Sequence, residues 1–282
     1  MITALLLALW TTLAPMASSQ AALYKPGDSV TDFTFIARRP FKVSDTRTIQ
    51  AGQPVRLSDM AGKIVFLEWF AVWCTYCAAA APQVVTGIED HYSSPLRGGK
   101  NPHGIPVVHV AVNQESRANF QAGTETFIDR YRFRHVVNDY TSTSVNDVRF
   151  KFQSSGQPIF VVISGVTNSP THKPWEVLVN HLGYGDRDFN LELANFRSRI
   201  DAVQAPPPPP LLLSTPQVAS GANPSFTVQA PAGTRIDVQH SEDLSSWTLL
   251  QSIDGTGEPV VVTDPNPSPA QRYYRAIQTP AP

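Results

Sequence analysis

Cysteine and net charge are both scarce in this sequence. Two cysteines among 282 residues cannot build the disulfide network of a small secreted scaffold or a four-thiolate zinc site. The 22 basic and 23 acidic side chains give a formal net charge of −1, without the positive excess typical of nucleic-acid binding. We therefore expect no nucleic-acid partner. A hydrophobic fraction of 42% also excludes a disordered chain, so the two cysteines belong to a globular protein.

Charge is also missing from the start of the chain, where the first charged side chain is Lys25. Residues 2–14 are mostly apolar, and small residues follow at 17–21. This stretch is short for a bilayer span and is typical of a secretory signal peptide. Because no basic residue precedes it, an uncleaved anchor stays an alternative. We expect residues 1–21 to be a signal peptide, the mature protein to be periplasmic or secreted, and no stable membrane insertion.

Proline is concentrated late in the chain and marks a domain boundary. Residues 206–210 are five consecutive prolines, which favour an extended, semi-rigid spacer. The length also suggests two domains. We therefore expect a signal peptide at 1–21, a main domain at 22–203, a proline-rich linker at 204–214 and a small domain at 215–282.

Strand and helix patterns alternate in the main domain. Residues 64–70 form a nearly continuous apolar run, typical of a strand buried on both faces. Similar runs occupy 105–112 and 159–164, while 125–133 and 190–203 have helical periodicity. Shorter elements are expected at 78–92, 135–137, 145–152 and 176–181. The alternation predicts an α/β fold with a mixed central sheet flanked by helices.

Cys74 and Cys77 form a Cys-x-x-Cys motif where the strand at 64–70 meets the next helix. Unpaired N–H groups and the helix dipole at this position stabilise a thiolate on Cys74, the form that attacks disulfides. Cys77, one turn further on, can close a disulfide and release the product thiol. The motif alone is shared with inert structural disulfides and with half zinc sites, although no paired histidines accompany it.

Several motifs around the cysteines follow a known pattern. They are Pro26-Gly27-Asp28, Gly62-Lys63-Ile64-Val65, Trp73 before the first cysteine, and Pro82 five residues after the second. From about residue 25 to 203, the sequence resembles the thioredoxin-like superfamily, specifically its exported TlpA-like redoxin branch. This resemblance implies a thioredoxin-like fold, a redox-active disulfide, and exchange with protein thiols or disulfides of the cell envelope. It implies no cofactor and no metal.

The resemblance also implies a proton acceptor. Glu68 lies six residues before Cys74, where the family often has a buried carboxylate. Such a carboxylate would take the proton of Cys77 when Cys77 becomes the nucleophile. A solvated carboxylate at the sheet edge is the alternative.

A second implied feature is the family's cis-proline loop, which Gly156-Gln157-Pro158 resembles. Pro158 would then be cis against the disulfide, and the backbone of Gln157 would pair with an extended substrate. An X-Pro bond is rarely cis on sequence grounds alone, so this expectation comes from the resemblance. Trp73 and Tyr76 are candidates for an apolar docking rim, with plain packing as the alternative.

Three positions depart from common family members: Thr75-Tyr76 between the cysteines, Ala78 after them, and Gln157 before the proline. Each change alters the cysteine pKa or the substrate fit. The redox potential and the direction of electron flow therefore stay open. Tyr76 occurs in some disulfide-isomerase-type sites, which keeps isomerase activity as an option.

Two other activities of the same fold would require residues that can be checked in this sequence. A peroxiredoxin would have Thr and Pro where this chain has Ala71 and Leu67, which disfavours peroxidase chemistry. A copper chaperone would need a downstream histidine, for which His172 and His181 are the candidates.

Residues 215–282 alternate apolar and polar positions between Gly, Pro and Asp clusters, which predicts a small antiparallel β-sandwich. The segment resembles an accessory β-module found at the C-termini of many exported bacterial proteins. That resemblance implies no defined activity: glycan or cell-surface contact through 215–282 is one expectation, and a passive spacer or sorting element is the other. The alternative function for the whole chain is therefore a surface-binding protein that uses a thioredoxin-like scaffold.

Overall fold

A computed structural model describes residues 23–140, 148–185, 189–207, 211–217, 223–266 and 271–280. The chain divides into two compact units, and the boundary along the sequence falls between Pro206 and Pro207. The expected signal peptide at 1–21 lies outside the described residues. No helix in the described part of the chain is long and apolar enough to cross a membrane.

The first unit alternates strands with helices. Its strands are β1 (Thr34–Ala37), β2 (Phe41–Lys42), β3 (Thr48–Ile49), β4 (Pro54–Arg56), β5 (Ile64–Phe70), β6 (Val107–Asn113), β7 (Val136–Asn138), β8 (Ile159–Ser164) and β9 (Glu176–Leu182). Its α-helices are α1 (Thr75–Val84), α2 (His91–Ser93), α3 (Gln121–Tyr131) and α4 (Phe189–Asp201).

Seven of these strands form one sheet in the order β4-β1-β7-β6-β5-β8-β9. Strand β5 lies inside this sheet, parallel to β6 and antiparallel to β8. Every residue of β5 is buried, as the apolar run predicts. The expected mixed central sheet is therefore confirmed.

The two faces of the sheet are covered differently, because successive side chains of a strand point to opposite faces. Val65, Leu67 and Trp69 of β5 pack against the N-terminal segment, the β2–β3 hairpin and Phe152. Phe66 and Phe70 point the other way and pack against residues of α1, α3 and α4. The helices therefore flank the sheet on the face that also carries Glu68, which lies between these two phenylalanines.

Helix α1 starts directly after β5 and is extended by irregular turns. Cys74, in an extended conformation, is the N-cap, and Pro82 lies inside the helix. A π-helical turn (Val85–Asp90) and α2 continue the same path, so the helical stretch expected at 78–92 is present but not a single α-helix. The π-helical turn points Glu89 inward, where it is buried.

Two other expected helices differ from the sequence pattern. Helix α3 begins and ends earlier than the expected 125–133. It ends at Tyr131 because Arg132 adopts a left-handed conformation (φ 59°). Of the helix expected at 145–152, residues 149–151 form only a 3₁₀ turn, and residues 141–147 lie outside the described range.

The second unit is all β in its described residues. Its strands are β10 (Leu212–Leu213), β11 (Ser225–Gln229), β12 (Thr234–Ser241), β13 (Thr248–Asp254), β14 (Pro259–Thr263) and β15 (Tyr273–Pro280). They form two three-stranded antiparallel sheets, β10-β11-β14 and β13-β12-β15. Both sheets contribute to one small core, which fits the expected β-sandwich-like module.

The expected linker at 204–214 is shorter in the structure. Leu212 and Leu213 pair with β11, so the end of that segment belongs to the second unit. Residues 208–210 of the proline run lie outside the described residues.

Candidate active site

Cys74 and Cys77 form a disulfide at the junction between β5 and α1, with Cα atoms 5.2 Å apart. The N–H of Cys77 donates a hydrogen bond to Sγ of Cys74 at 3.0 Å. Cys74 is 6% exposed and Cys77 is fully buried, so Cys74 is the sulfur that a partner can reach. In the reduced protein, the same N–H and the helix dipole favour a thiolate on Cys74.

An open groove of about 380 Å³ lies over Cys74. Its lining includes the three residues expected to contact substrate, Trp73, Tyr76 and Gln157, together with Arg149. The side chains of Trp73 and Tyr76 are more than half exposed. The groove therefore presents two aromatic rings and one guanidinium group beside the accessible sulfur.

The loop before β8 forms one wall of this groove. The Gln157–Pro158 peptide bond is cis, as the resemblance implies. Pro158 is buried and its carbonyl accepts a hydrogen bond from the N–H of Gly183 at 2.8 Å. Because β8 pairs with β5, the loop stands next to the strand that leads to Cys74.

Trp73 is held by charged side chains that the sequence analysis did not identify. Its Nε1–H donates to Oε2 of Glu115 at 2.7 Å. Arg117 also binds Glu115, through Nε and Nη2 at 2.9 and 2.6 Å. The hydrogen bonds from Arg117 lower the pKa of Glu115 to about 2, so this carboxylate stays ionised and orients the indole ring.

Glu68 is fully buried in the middle of β5, so the solvated alternative is wrong. Its register partner in β6 is Ala111, and Ala111 packs in the same cluster as Cys77 and Phe70. Glu68 therefore lies under α1, next to the cluster that contains the buried sulfur. Burial raises the pKa of Glu68, and Oε1 has no hydrogen-bond partner among the described residues.

The other oxygen of Glu68 belongs to a buried chain of ionisable groups. Oε2 lies 3.0 Å from Nε2 of His109 in β6, and Nδ1 of His109 lies 2.9 Å from Oε2 of Glu89. Burial alone would lower the pKa of His109, but the hydrogen bonds that its ring N–H groups donate to the two carboxylates raise it to about 9. Sequence reasoning missed His109 and Glu89; the available signal was one histidine inside an otherwise apolar strand.

A second buried carboxylate ties the sheet to the groove. Oδ2 of Asp139 accepts hydrogen bonds from Nε1 of Trp69 at 2.8 Å and from the N–H of Arg149 at 3.0 Å. Burial raises the pKa of Asp139 to about 6. Asp139 thus positions the start of the 3₁₀ turn that carries Arg149 into the groove.

The two histidines considered for copper binding lie elsewhere. Nδ1 of the half-buried His172 contacts Oγ1 of Thr171 at 2.8 Å. Nδ1 of His181 lies 3.8 Å from Oε2 of Glu192. Within the described ranges, no group of three or more His, Cys, Asp or Glu side chains is arranged to hold a metal ion.

No protein-family model and no curated protein matches this sequence. Solved structures similar to the chain include a thiol:disulfide interchange protein from a Bacteroides species, with 13% identity, 64% of this chain and 92% of that chain covered, and a TM-score of 0.42. Another is the thioredoxin domain of a Bacteroides vulgatus thiol-disulfide oxidoreductase, with 16% identity, 60% of this chain and 95% of that chain covered, and a TM-score of 0.40. A third is a Thermus thermophilus thio-disulfide isomerase, with 19% identity, 61% of this chain and 96% of that chain covered, and a TM-score of 0.38.

The topology itself defines the class of fold. A mixed sheet carries a Cys-x-x-Cys disulfide between its buried strand β5 and helix α1, and a cis-proline precedes the adjacent antiparallel strand β8. This first unit has a thioredoxin-like fold, as the sequence resemblance implies.

Proposed function

We propose that this chain is an exported thiol–disulfide oxidoreductase that exchanges disulfides with protein thiols through Cys74 and Cys77. One observation carries the proposal: the disulfide sits at the N-terminus of α1, with Cys74 facing an open groove and Cys77 buried behind it. An inert structural bridge would need no such difference in access.

The exchange transfers two electrons. In the reduced protein, the Cys74 thiolate attacks a partner disulfide, a mixed disulfide forms, and one partner sulfur leaves as a thiolate. Cys77 then loses its proton to Glu68 and attacks Sγ of Cys74. The Cys74–Cys77 disulfide closes, and the second partner sulfur leaves as a thiolate that takes a proton from solvent. The reverse sequence oxidises a partner dithiol.

The groove suits an extended polypeptide. We assign Trp73 and Tyr76 to apolar contacts with the partner chain and the backbone of Gln157 to its main-chain groups, with Pro158 shaping the wall. The Glu115–Arg117 pair keeps the indole of Trp73 in place, so the rim is ready before the partner binds.

We also propose that the protein acts in the cell envelope or outside the cell. The signal-like pattern of residues 1–21 supports export, and an oxidising compartment is where a disulfide persists. Glycan or cell-surface contact through 215–282 stays a prediction.

An insulin assay tests the activity: dithiothreitol is the reductant, and turbidity reports the precipitation of reduced insulin. We expect the wild type to accelerate precipitation and Cys74→Ser to leave only the uncatalysed rate. Cys77→Ser should trap a mixed disulfide with insulin that is visible by mass spectrometry. Glu68→Gln should slow the closing step by about 100-fold, the lower end of what a general base contributes. Equal activity in the wild type and Cys74→Ser would overturn the proposal.

A further inference from the structure

The groove over Cys74 carries fixed charge of one sign. Among the described residues that line it, Arg149 has the only charged side chain. The remaining lining residues are Trp73, Cys74, Thr75, Tyr76, Gly156 and Gln157. A protein segment that enters the groove therefore meets one positive charge on the same surface as the sulfur with which it reacts.

Contacts from three directions hold Arg149 in place. Its backbone N–H donates to Oδ2 of the buried Asp139 at 3.0 Å, and its Nη1 donates to Oε1 of Gln114 at 2.8 Å. The guanidinium also lies over the ring of Phe150, with Cζ 4.2 Å from the ring centre. Long side chains lose conformational freedom when a ligand orders them. Because Arg149 is already ordered, binding at its guanidinium involves less of this loss.

The guanidinium of Arg149 still has binding capacity to offer. Its Nε has no hydrogen-bond partner among the described residues. Burial lowers the pKa of Arg149, because part of the hydration of its charge is lost, and the charge of Asp139 offsets only part of this effect. A cation in this condition is stabilised by a carboxylate that approaches from the groove.

The other charges of the protein would not by themselves attract an acidic partner. The whole chain has a formal net charge of −1, so its overall field does not favour acidic segments. Near Trp73, Arg117 lies 2.6 Å from Glu115, and the two charges offset each other. A preference for acidic partners would therefore come from Arg149.

We propose that Arg149 is a specificity-determining residue that selects partner segments with an acidic side chain close to the reacting cysteine. The inference rests on the proposed function. An extended chain advances about 3.3 Å per residue, so a groove of about 380 Å³ holds only a few residues of the partner. The acidic side chain therefore lies within about two residues of the partner cysteine. Its carboxylate binds the guanidinium while Cys74 reaches the sulfur.

A direct effect of the Arg149 charge on Cys74 is the rival explanation. A cation near a thiol lowers the pKa of the thiol and changes its reactivity toward every disulfide. Recognition instead changes the rate only for segments that carry a carboxylate. The ratio of the rates for two peptides that differ only in charge isolates recognition, because the same thiolate attacks both peptides.

Three peptides with blocked termini provide this ratio. Each has one cysteine activated as a 2-pyridyl disulfide, with Glu, Gln or Lys at the two positions on either side. The Cys74 thiolate of the reduced full chain attacks the peptide sulfur, and pyridine-2-thiolate leaves, takes a proton from solvent and is followed by absorbance in stopped flow. Each rate is divided by the rate with dithiothreitol, which corrects for the reactivity of the peptide itself. We expect the Glu peptide to react about tenfold faster than the Gln peptide, and the Lys peptide to be the slowest.

Two substitutions of Arg149 and one matched control test the assignment. Arg149→Gln should lower the Glu-to-Gln rate ratio to about one. Arg149→Lys should keep part of the ratio, because it retains the charge without the planar fork of donors. Lys151→Gln removes a positive charge from the same 3₁₀ turn, but Lys151 is exposed and does not line the groove, so this variant should keep the wild-type ratio.

The wild-type ratio needs no variant, so the test does not depend on the folding of Arg149→Gln. Equal corrected rates for the Glu and Gln peptides in the wild type would overturn the inference. An unchanged ratio in folded Arg149→Gln, or an equal loss in Lys151→Gln, would also overturn it. Failure of the proposed function would look different, since all three peptides would then react no faster with the wild type than with Cys74→Ser.

Discussion

At the scale of single residues, the two cysteines differ mainly in access. Cys74 caps α1 at the mouth of the groove, while Cys77 lies in the first turn of the helix, inside the cluster with Phe70 and Ala111. The N-terminus of α1 stabilises a thiolate on the accessible Cys74, whereas the buried Cys77 has the carboxylate of Glu68 nearby. This division matches the different chemical tasks of an attacking thiolate and a resolving thiol.

The buried carboxylate of Asp139 leads to a prediction about pH and stability. Its folded-state pKa of about 6 is above the 3.8 of a free aspartate, so the native state holds the proton more tightly. The stabilisation that this provides is complete below about pH 4 and is lost as the pH rises through about 6. The wild-type free energy of unfolding should therefore fall by about 2 kcal/mol from this group between pH 4 and 7.

Urea unfolding of Asp139→Asn at several pH values measures the effect. Asparagine can still accept the hydrogen bonds from Trp69 and Arg149 but does not ionise, so the variant should show a flatter pH dependence than the wild type. Asp45, which is fully exposed, serves as the control, and Asp45→Asn should keep the wild-type slope. Parallel curves for Asp139→Asn and the wild type would contradict the prediction.

At the scale of elements, the site depends on how β5 and β8 are held together at the ends that lie away from the cysteines. The N–H of Gly62 donates to the carbonyl of Gly165, and the N–H of Gly165 donates to the carbonyl of Lys63, both at 2.8 Å. A Cβ atom on Gly165 would lie 2.8 Å from the Lys63 carbonyl oxygen and 3.0 Å from that of Met60. Only glycine lets these backbones approach so closely.

Gly165→Ala should therefore destabilise the first unit by about 1 to 3 kcal/mol, because the clashing atoms belong to the backbone and cannot turn away. Thermal and urea unfolding measure the change. Gly123→Ala in α3 is the matched control: its Cβ would meet only a Val72 methyl group at 3.3 Å. Since alanine favours a helix over glycine, we expect that variant to be neutral or more stable. A neutral Gly165→Ala would show that the junction is looser than described.

At the scale of the whole molecule, the two units have very different cores. The first unit buries three hydrophobic clusters around one sheet. Among its described residues, the second has a single cluster of six buried residues: Phe226, Val228, Ala230, Ile236, Val238 and Val262. A core of that size provides little stabilisation, so the second unit should be the less stable one.

A fragment of residues 22–206 should therefore fold by itself. We expect its insulin-reduction rate to be within about twofold of the full chain, because the residues that line the groove and the buried Glu68 lie in the first unit. Calorimetry of the full chain should show two transitions, the higher one also present in the fragment. A fragment that aggregates or loses its activity would show that the first unit depends on the second.

Much of the fold around the site could be predicted from the local sequence pattern. The apolar run at 64–70 coincides with β5, and the Cys-x-x-Cys motif lies at the strand-to-helix junction as expected. Burial of Glu68 and the cis bond before Pro158 followed from the resemblance, and not from periodicity or composition. Local pattern did not predict the π-helical turn, since no residue in 85–90 marks a change of helix type.

By itself, the sequence determined the strands, the helix start and the position of the two cysteines, because those depend on side chains within a few residues of one another. Only the tertiary structure decided the partners of Glu68. His109 is 41 residues away along the chain and Glu89 lies 20 residues before His109, so their contacts exist only once β5, β6 and the turn after α1 have packed together. A buried charge is stable only beside its partners, and packing alone brings them within hydrogen-bonding distance.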